Sequence, residues 1–451
     1  MRAPTLSEDR LWSGPHRRVV AGIFSLAFLV AFESLAVATI MPVVADELGG
    51  LRLYALSFAA PIALGVVSMT LAGPLMDRHG PGAAVRGGVA VFVAGLLVAG
   101  VAPSMAVFLL GRGVQGLGSG FVTVGLYVVI GGTFHDVMRP RVFTVLTSAW
   151  VLPALVGPLL AGAVVHAVGW RWVFLGVPVL AIGSLLMLGR AMAQIHGDLS
   201  IVIDRRRVRR AAVVAAGVLA VSWAGQREAG WWPLALAAGL VATVTFAPRL
   251  APAGTWKGRR GLPSVVATRS LLAAAFVGAE TYVPLSLVEH RGLSVGEAGL
   301  LLTAAAVTWF SGSWLAAHLA VLASRPRRVR VGVTCVLVGI LSGPLTLVDA
   351  VPVAVVAVVW SLGGLGMGLA ATTLGVLVLE HSAPGEQGVN SASAQTSDAV
   401  VQSLVLAIGS VVFAIVLTVD EHAAYVLVFG LAGIVAAAAV LMSTRVSSAS
   451  G

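Results

Sequence analysis

The sequence predicts an all-α integral membrane protein. Of its 451 residues, 58% are hydrophobic and only 11% are charged, whereas soluble domains are roughly half apolar and a quarter charged. The apolar residues come in many runs of about 20, the helix length that crosses roughly 30 Å of hydrocarbon. Each run must be helical, because a strand would leave backbone groups unpaired in lipid.

The charge and the cysteine content exclude other classes. A net charge of +10 does not indicate a nucleic-acid partner here, because the basic residues lie in short loops between apolar runs, where they orient membrane spans. The single cysteine, Cys335, excludes an intramolecular disulfide. The first apolar stretch is long and lacks a convincing cleavage site, so we expect it to remain as the first span.

Fourteen apolar runs are candidates for membrane spans. Six come before a basic loop, two form a hairpin, and six follow a second basic loop. The predicted spans are 19–42, 54–75, 84–102, 105–131, 143–166, 171–190, 211–226, 231–248, 264–287, 298–321, 331–348, 352–378, 393–417 and 423–443. The seventh is short and begins beside Arg209 and Arg210. If it and the eighth do not cross, the count falls to twelve and every other orientation is unchanged.

The basic residues orient these spans. With the N-terminus inside, 23 of the 29 Lys and Arg residues fall in cytoplasmic segments. Two, Arg112 and Arg269, fall inside spans, and the outer segments hold Arg52, Arg171, Arg227 and Arg291. Cytoplasmic loops carry such an excess. We therefore predict an even number of spans, with both termini cytoplasmic, in a bacterial inner membrane.

Weak similarities between the first and last six spans indicate duplicated halves. We predict an N-terminal six-helix bundle at 1–190, basic loops with an inserted hairpin at 191–262, and a C-terminal six-helix bundle at 263–451. The first span of each half carries an embedded acid, Glu33 and Glu280. The fourth span of each half carries a glycine ladder, at Gly116, Gly118 and Gly120 and at Gly364, Gly366 and Gly368. Duplicated halves place a substrate site at their interface near the midplane of the membrane.

A glycine-bounded acidic loop joins spans two and three. It reads Gly73-Pro-Leu-Met-Asp77-Arg78-His-Gly80 and resembles the hallmark loop of the major facilitator superfamily. Its glycines permit a tight turn and a close helix approach. The resemblance implies a gate in which Asp77 and Arg78 lock the two halves on the inner side, with Asp77 approaching span thirteen near Asn390. The alternative is a plain basic turn.

Two further motifs resemble the same superfamily. Arg112, Gln115 and Gly116 match its fourth-span motif, Arg-x-x-Gln-Gly. Gly157, Pro158 and Gly162 match the fifth-span motif that the family associates with antiporters and exporters, although Pro153 and Ala161 replace two of its glycines. Here the proline removes a backbone hydrogen bond and the glycines permit close packing. The alternatives are a snorkelling arginine in span four and a merely kinked helix in span five.

The start of span six points to one branch of the family. Trp170-Arg171-Trp172-Val-Phe174-Leu-Gly-Val-Pro178 is similar to the corresponding segment of fourteen-helix drug:proton antiporters. With the extra hairpin, this resemblance implies two six-helix bundles plus an inserted two-helix hairpin. The second half matches the family only by its topology.

The embedded charges are the candidates for proton coupling. Glu33 lies about 22 Å from the inner end of span one and Arg112 about 10 Å from the outer end of span four, at 1.5 Å per residue. In a membrane about 30 Å thick these depths nearly coincide, so the two can interact. Burial favours a neutral carboxyl group and a nearby guanidinium favours a carboxylate, so Glu33 could exchange protons. A permanent structural ion pair is the alternative.

The remaining candidates lie mainly in the second half. Glu280 is a second coupling or substrate residue, or a hydrated residue near the outer mouth. Asp398 and Arg269 lie at comparable depth and are expected to pair near the cytoplasmic mouth in a structural or gating role. Phe32 and Tyr282 are candidate substrate-binding residues, because drug-sized sites are mostly apolar.

The predicted function is proton-coupled export of amphipathic drug-like compounds by alternating access. The alternatives are export of an endogenous lipid or self-made metabolite, and a membrane sensor that no longer transports. We expect no enzyme activity, metal or cofactor, because no nucleophile–base pair, metal-ligand spacing or phosphate-binding loop is present. The expected partners are protons, the amphipathic substrate and membrane lipids, and we expect a monomer.

Overall fold

The computed structural model describes residues 14–134, 138–200, 203–224, 230–318, 324–382 and 387–446. All regular secondary structure in these ranges is helical. The predicted outer residue Arg227, the end of the predicted span 211–226 and the end of the predicted span 298–321 lie outside them.

Seven helices form the first part of the chain. They are α1 (Gly14–Glu47), α2 (Leu56–His79), α3 (Pro81–Gly100), α4 (Met105–Thr133), α5 (Arg139–Val168), the short α6 (Arg171–Leu175) and α7 (Val177–Ala193). Together α6 and α7 occupy the predicted sixth span, and Gly176 separates them. The helices therefore begin and end within a few residues of the apolar runs.

Eight helices form the rest. They are α8 (Arg205–Ala224), α9 (Trp232–Phe246), α10 (Leu262–Arg291), α11 (Val295–His318), α12 (Arg325–Ile340), α13 (Val353–Glu380), α14 (Gln387–Val416) and α15 (Glu421–Ser443). Local chemistry sets several ends. Ser294 and Glu297 exchange hydrogen bonds before α11 in a capping box. Asp420 accepts a bond from the Ala423 N–H and so begins α15.

Within the described residues, eleven helical segments are long and apolar enough to cross a membrane. The all-α membrane fold class is therefore confirmed. Helix α5 is not among the eleven, because its apolar stretch there is only Val156–Val168. The hairpin helices are also not among them, because five arginines occupy the start of α8 and α9 has only 15 residues. They pack closely on each other, since a Cβ at Gly239 would lie 2.6 Å from the Gly217 carbonyl oxygen. The choice between fourteen and twelve spans stays a prediction.

The chain forms two compact units. The first contains the chain up to Val37 together with Val67–Val208, and the second contains Ala38–Val66 and all residues from Arg209 onward. Both α1 and α2 are thus divided between the units. This grouping does not test the predicted division into bundles at residues 190 and 263, which stays a prediction.

Glycine contacts bring helices together inside each unit. In the first, an added Cβ at Gly118 of α4 would lie 2.2 Å from the Phe92 backbone nitrogen of α3. In the second, α13 lies between α11 and α12. An added Cβ at Gly364 would lie 2.2 Å from the Ala305 carbonyl oxygen, and one at Gly366 would lie 2.4 Å from the Gly332 carbonyl oxygen. Such backbone approach is typical of membrane helices.

Candidate functional site

A buried ion pair joins α1 to α4 within the first unit. Arg112 of α4 donates through Nη1 to Oε1 of Glu33 on α1. The same nitrogen also donates to Oε1 of Gln115 at 2.7 Å. Glu33 is 5% exposed and Arg112 is 4% exposed. The three residues thus form a polar group inside an otherwise apolar helical layer.

The position of Arg112 follows from how α4 packs on α3. An added Cβ at Gly95 would lie 2.4 Å from the Gln115 backbone nitrogen. At Gly111, an added Cβ would lie 2.5 Å from the Ala99 backbone nitrogen. These contacts flank Arg112 and fix the height and rotation of its helix. Gly95 of α3 and Gly111 of α4 therefore help to hold the arginine against Glu33.

Aromatic side chains continue from the ion pair along α1. Phe32 stacks on Phe28 with ring centroids 6.1 Å apart and planes 9° apart, and Phe28 stacks on Phe24 at 6.0 Å. Gly157 of α5 faces Phe32, because a Cβ added there would lie 3.7 Å from its ring. The half-buried Phe32 thus lies beside the fifth-span motif, in which Pro158 is buried and Gly162 half-buried. Its role in binding substrate stays a prediction.

The predicted acidic loop forms the last turns of α2, and its end, with Gly80, packs against the segment after α7. Gly80 has φ +77°, and an added Cβ there would lie 2.5 Å from the Ile195 carbonyl oxygen. The Asp198 N–H donates to the Asp77 carbonyl at 2.8 Å. Hydrogen bonds from the Ser200 hydroxyl and N–H lower the pKa of the Asp198 carboxyl group. Gly80 therefore provides the turn and the close approach.

Gly73 behaves differently, because a Cβ added there would meet nothing within 4 Å. The described residues therefore do not make the close approach that Gly73 permits, and its role stays a prediction. Gly197, which no motif indicated, makes such an approach instead, since its added Cβ would lie 2.4 Å from the Arg78 carbonyl group. The Asp77 side chain is exposed, and its gating role with Arg78 stays a prediction.

A second polar group joins α10 to α14. Arg269 donates through Nε to Oδ2 of Asp398 at 2.7 Å. Ser270 donates to Oδ1 of the same carboxylate at 2.8 Å and lies 3.0 Å from the Ser397 hydroxyl. The Asp398 side chain is 12% exposed and that of Arg269 is 28% exposed. The two predicted residues are in contact, and the two serines are partners that the sequence reasoning missed.

Glu280 and Tyr282 lie on α10 in different surroundings. Glu280 is half-buried, and no hydrogen bond or ion pair joins its side chain to another residue of the described chain. Tyr282 is 1% exposed and packs between Tyr54 and Phe413, with ring centroids 6.0 Å and 5.0 Å away. Tyr282 is thus a packing residue in this conformation, and substrate contact through it stays a prediction.

Arg291, predicted only as an outer loop residue, clamps a neighbouring loop. Its guanidinium donates to the backbone carbonyls of Leu345, Thr346, Val348, Asp349 and Val351 at 2.5–3.2 Å. It also lies 3.7 Å from the exposed Asp349 carboxylate. The scarcity of arginine in outer segments was the signal that could have identified it.

Both polar groups contain a carboxylate paired with a guanidinium. A carboxylate paired with a guanidinium can take up a proton and release its partner. Within the described residues, no group of three or more His, Cys, Asp or Glu side chains is suited to hold a metal ion. The described site therefore offers a carboxylate, a guanidinium and a side-chain amide in direct contact.

Comparisons with known proteins agree with this architecture. A family model described as Major Facilitator Superfamily matches residues 23–406. The chain is 26% identical over 391 residues to the multidrug transporter protein MdtP of Bacillus subtilis strain 168, covering 84% of this chain and 71% of the relative. It is 22% identical over 383 residues to the multidrug efflux pump SdrM of Staphylococcus aureus strain N315, covering 81% of this chain and 82% of that pump.

A solved structure gives the same fold at lower identity. A POT family transporter in complex with 5-aminolevulinic acid superposes with a TM-score of 0.72 at 12% sequence identity. The match covers 95% of this chain and 96% of that one. At such identity the likeness shows the fold alone.

Proposed function

The chain is a multi-pass secondary transporter of the major facilitator superfamily, and from this premise we propose that it exports amphipathic drug-like compounds in exchange for protons. The names of the Bacillus and Staphylococcus relatives support export of drugs. The fifth-span motif with Gly157 and Pro158, next to Phe32, supports antiport. The positive charge of the inner loops supports cytoplasmic termini in a bacterial inner membrane.

The observation that carries the proposal is the Glu33–Arg112 pair. A charge inside a membrane span is costly, and ionisable residues there line ion or substrate pathways by default. This pair is 4–5% exposed and follows the superfamily motif on α4. A purely structural pair is a poor alternative, because replacing a buried ion pair by apolar residues is often neutral or stabilising.

Protonation of Glu33 is the proposed coupling step. A proton that enters from the outer side binds the carboxylate and cancels its charge, so that Arg112 loses its attraction to Glu33. When Glu33 releases the proton toward the inner side, the ion pair forms again. A substrate that carries positive charge favours release, because it stabilises the carboxylate as a nearby cation does. One proton is bound and one released in each cycle.

The Arg269–Asp398 group is proposed to take part in gating. Its carboxylate accepts bonds from the consecutive residues Arg269 and Ser270 and so ties one turn of α10 to α14. While these bonds hold, α10 and α14 are tied together at this level, and loss of the Arg269 bond would free them to separate. Asp77 and Arg78 are proposed as the corresponding element of the first half.

Proton flux in liposomes tests the proposal. The purified full-length chain is reconstituted with a pH-sensitive dye inside, and proton movement is followed after adding tetraphenylphosphonium, a neutral aromatic drug or phosphatidylglycerol. We expect the amphipathic cation to stimulate proton flux in the wild type, and Glu33→Gln to abolish that stimulation. Glu380→Gln is the matched control, because it makes the same chemical change in an ion pair with Arg325 whose side chains are 39–48% exposed.

Two results would contradict the proposal. Unchanged proton-coupled transport in Glu33→Gln would remove the role of this residue. Stimulation by the lipid alone would replace drug export by lipid export on the same scaffold.

A further inference from the structure

Four arginines occupy the first six residues of α12, which reads Arg-Pro-Arg-Arg-Val-Arg. Two of them contact other helices. Arg325 forms an ion pair with Glu380 of α13 at 2.7 Å, and Arg328 donates through Nη1 to the Ala316 carbonyl of α11. These two fasten the end of α12 to its neighbours.

The other two arginines, Arg327 and Arg330, are exposed. Neither side chain has a hydrogen bond or ion pair to any residue in the part of the chain that the structure describes. At 3.6 residues per turn they lie within about 60° of each other around the helix. Arg328 and Arg325 lie about 100° and 160° from Arg327, on the side of the helix away from Arg330.

The same face of α12 continues as an exposed apolar stripe. Val331 is 49% exposed, Val338 is 41% exposed and Leu341 is 58% exposed. Between them lies Thr334, which is also exposed. The spacing from Arg327 to Leu341 keeps all these positions within about 100° around the helix axis. The opposite face is buried, at Val329, Gly332, Val333, Val336, Gly339 and Ile340.

The stripe has the dimensions of one lipid tail. The stripe from Val331 to Leu341 covers ten positions, or about 15 Å along the helix, and half of the hydrocarbon core is also about 15 Å. Guanidinium groups bind phosphate through paired hydrogen bonds. Two uncompensated guanidinium groups at the end of an apolar stripe therefore match a negatively charged head group with its acyl chain below.

We propose that Arg327 and Arg330 bind the head group of an anionic phospholipid, whose acyl chain lies along Val331, Val338 and Leu341. The positive charge of this segment places the site in the inner leaflet. The site is independent of the transported substrate, because it rests only on the exposed face of α12. Zwitterionic lipids fit it less well, because their ammonium group is repelled by the two guanidinium groups.

Lipid binding to the full-length chain tests the site. The delipidated protein in neutral detergent is titrated with dioleoylphosphatidylglycerol or dioleoylphosphatidylcholine, and bound lipid is counted by native mass spectrometry. We expect phosphatidylglycerol to bind more tightly than phosphatidylcholine. We expect Arg327→Gln/Arg330→Gln to weaken phosphatidylglycerol binding about 30-fold, which corresponds to about 1 kcal/mol per arginine.

The matched control is Arg259→Gln/Arg260→Gln. It removes two arginine charges from an exposed segment that is predicted to be cytoplasmic and that presents no apolar helical stripe. We expect at most a twofold change. The proposal is overturned if both double variants lose affinity equally, if the α12 variant binds like the wild type, or if phosphatidylcholine binds as tightly as phosphatidylglycerol. Circular dichroism checks that both variants are folded.

Discussion

A methyl group added at Gly118 would collide with the backbone of the neighbouring helix. In the Gly118→Ala variant, the new Cβ would lie 2.2 Å from the Phe92 nitrogen and 2.6 Å from the Gly88 carbonyl oxygen. Helical backbone atoms cannot rotate away as the end of a side chain can. The α3 and α4 helices must therefore move apart.

The size of that movement follows from the contact distance. Ordinary contact begins at 3.4 Å, so a Cβ at 2.2 Å requires a local separation of about 1.2 Å. Overpacking of this kind costs about 1–3 kcal/mol. The shift also reaches Arg112, because Gln115 lies one turn before Gly118 and packs on Gly95 in the same contact line. A misplacement of about 1 Å can reduce a rate about 100-fold.

Two measurements check this prediction. We expect Gly118→Ala to lower the apparent thermal unfolding midpoint in detergent and to reduce substrate-stimulated proton flux. Gly87→Ala is the matched control, because Gly87 lies on α3 and an added Cβ there meets nothing within 4 Å. That variant should match the wild type or gain up to about 1 kcal/mol. Equal stability of the two variants would refute the packing argument.

Three further predictions follow from single contacts. Glu33→Gln leaves a buried guanidinium without its carboxylate, at a cost of about 3–5 kcal/mol, so Glu33→Gln/Arg112→Gln should melt above either single variant; additive losses would contradict this. Arg291→Gln should speed hydrogen exchange of the loop whose carbonyls it binds, and unchanged protection would contradict the clamp. In a Cys335→Ser background, Gly230→Cys should react with an impermeant maleimide from outside if the hairpin spans, and only after permeabilisation if it does not.

Much of the helical layout was predictable because one strong physical rule governs it. Backbone groups in lipid must be paired within the segment, so an apolar run of about 20 residues has one available structure. The constant rise of a helix then made the depths of Glu33 and Arg112 comparable, and the structure places them in contact. The same reasoning placed Arg269 near Asp398, which it contacts.

Partners that depend on the packing of distant segments were not predictable. The motif glycine Gly73 faces open space, while Gly197, outside any motif, lies against the Arg78 backbone. A sequence motif shows where a small residue stands, but it does not show which segment approaches it. Tyr282 is a similar case, because an aromatic residue in a span can face lipid, a cavity or other rings, and here it meets Tyr54 and Phe413.

The sequence by itself determined that this chain is helical and belongs in a membrane, because the length and polarity of its runs leave no other way to pair the backbone. It also determined the superfamily, through ordered motifs on the first half of the chain. The tertiary structure alone decided which of several chemically equivalent residues bind a neighbouring helix and which stay exposed. On α12, Arg325 and Arg328 are bound to neighbouring helices while Arg327 and Arg330 remain exposed. The four arginines within these six residues have the same chemistry, and only the direction of each side chain from the helix axis sets its partner.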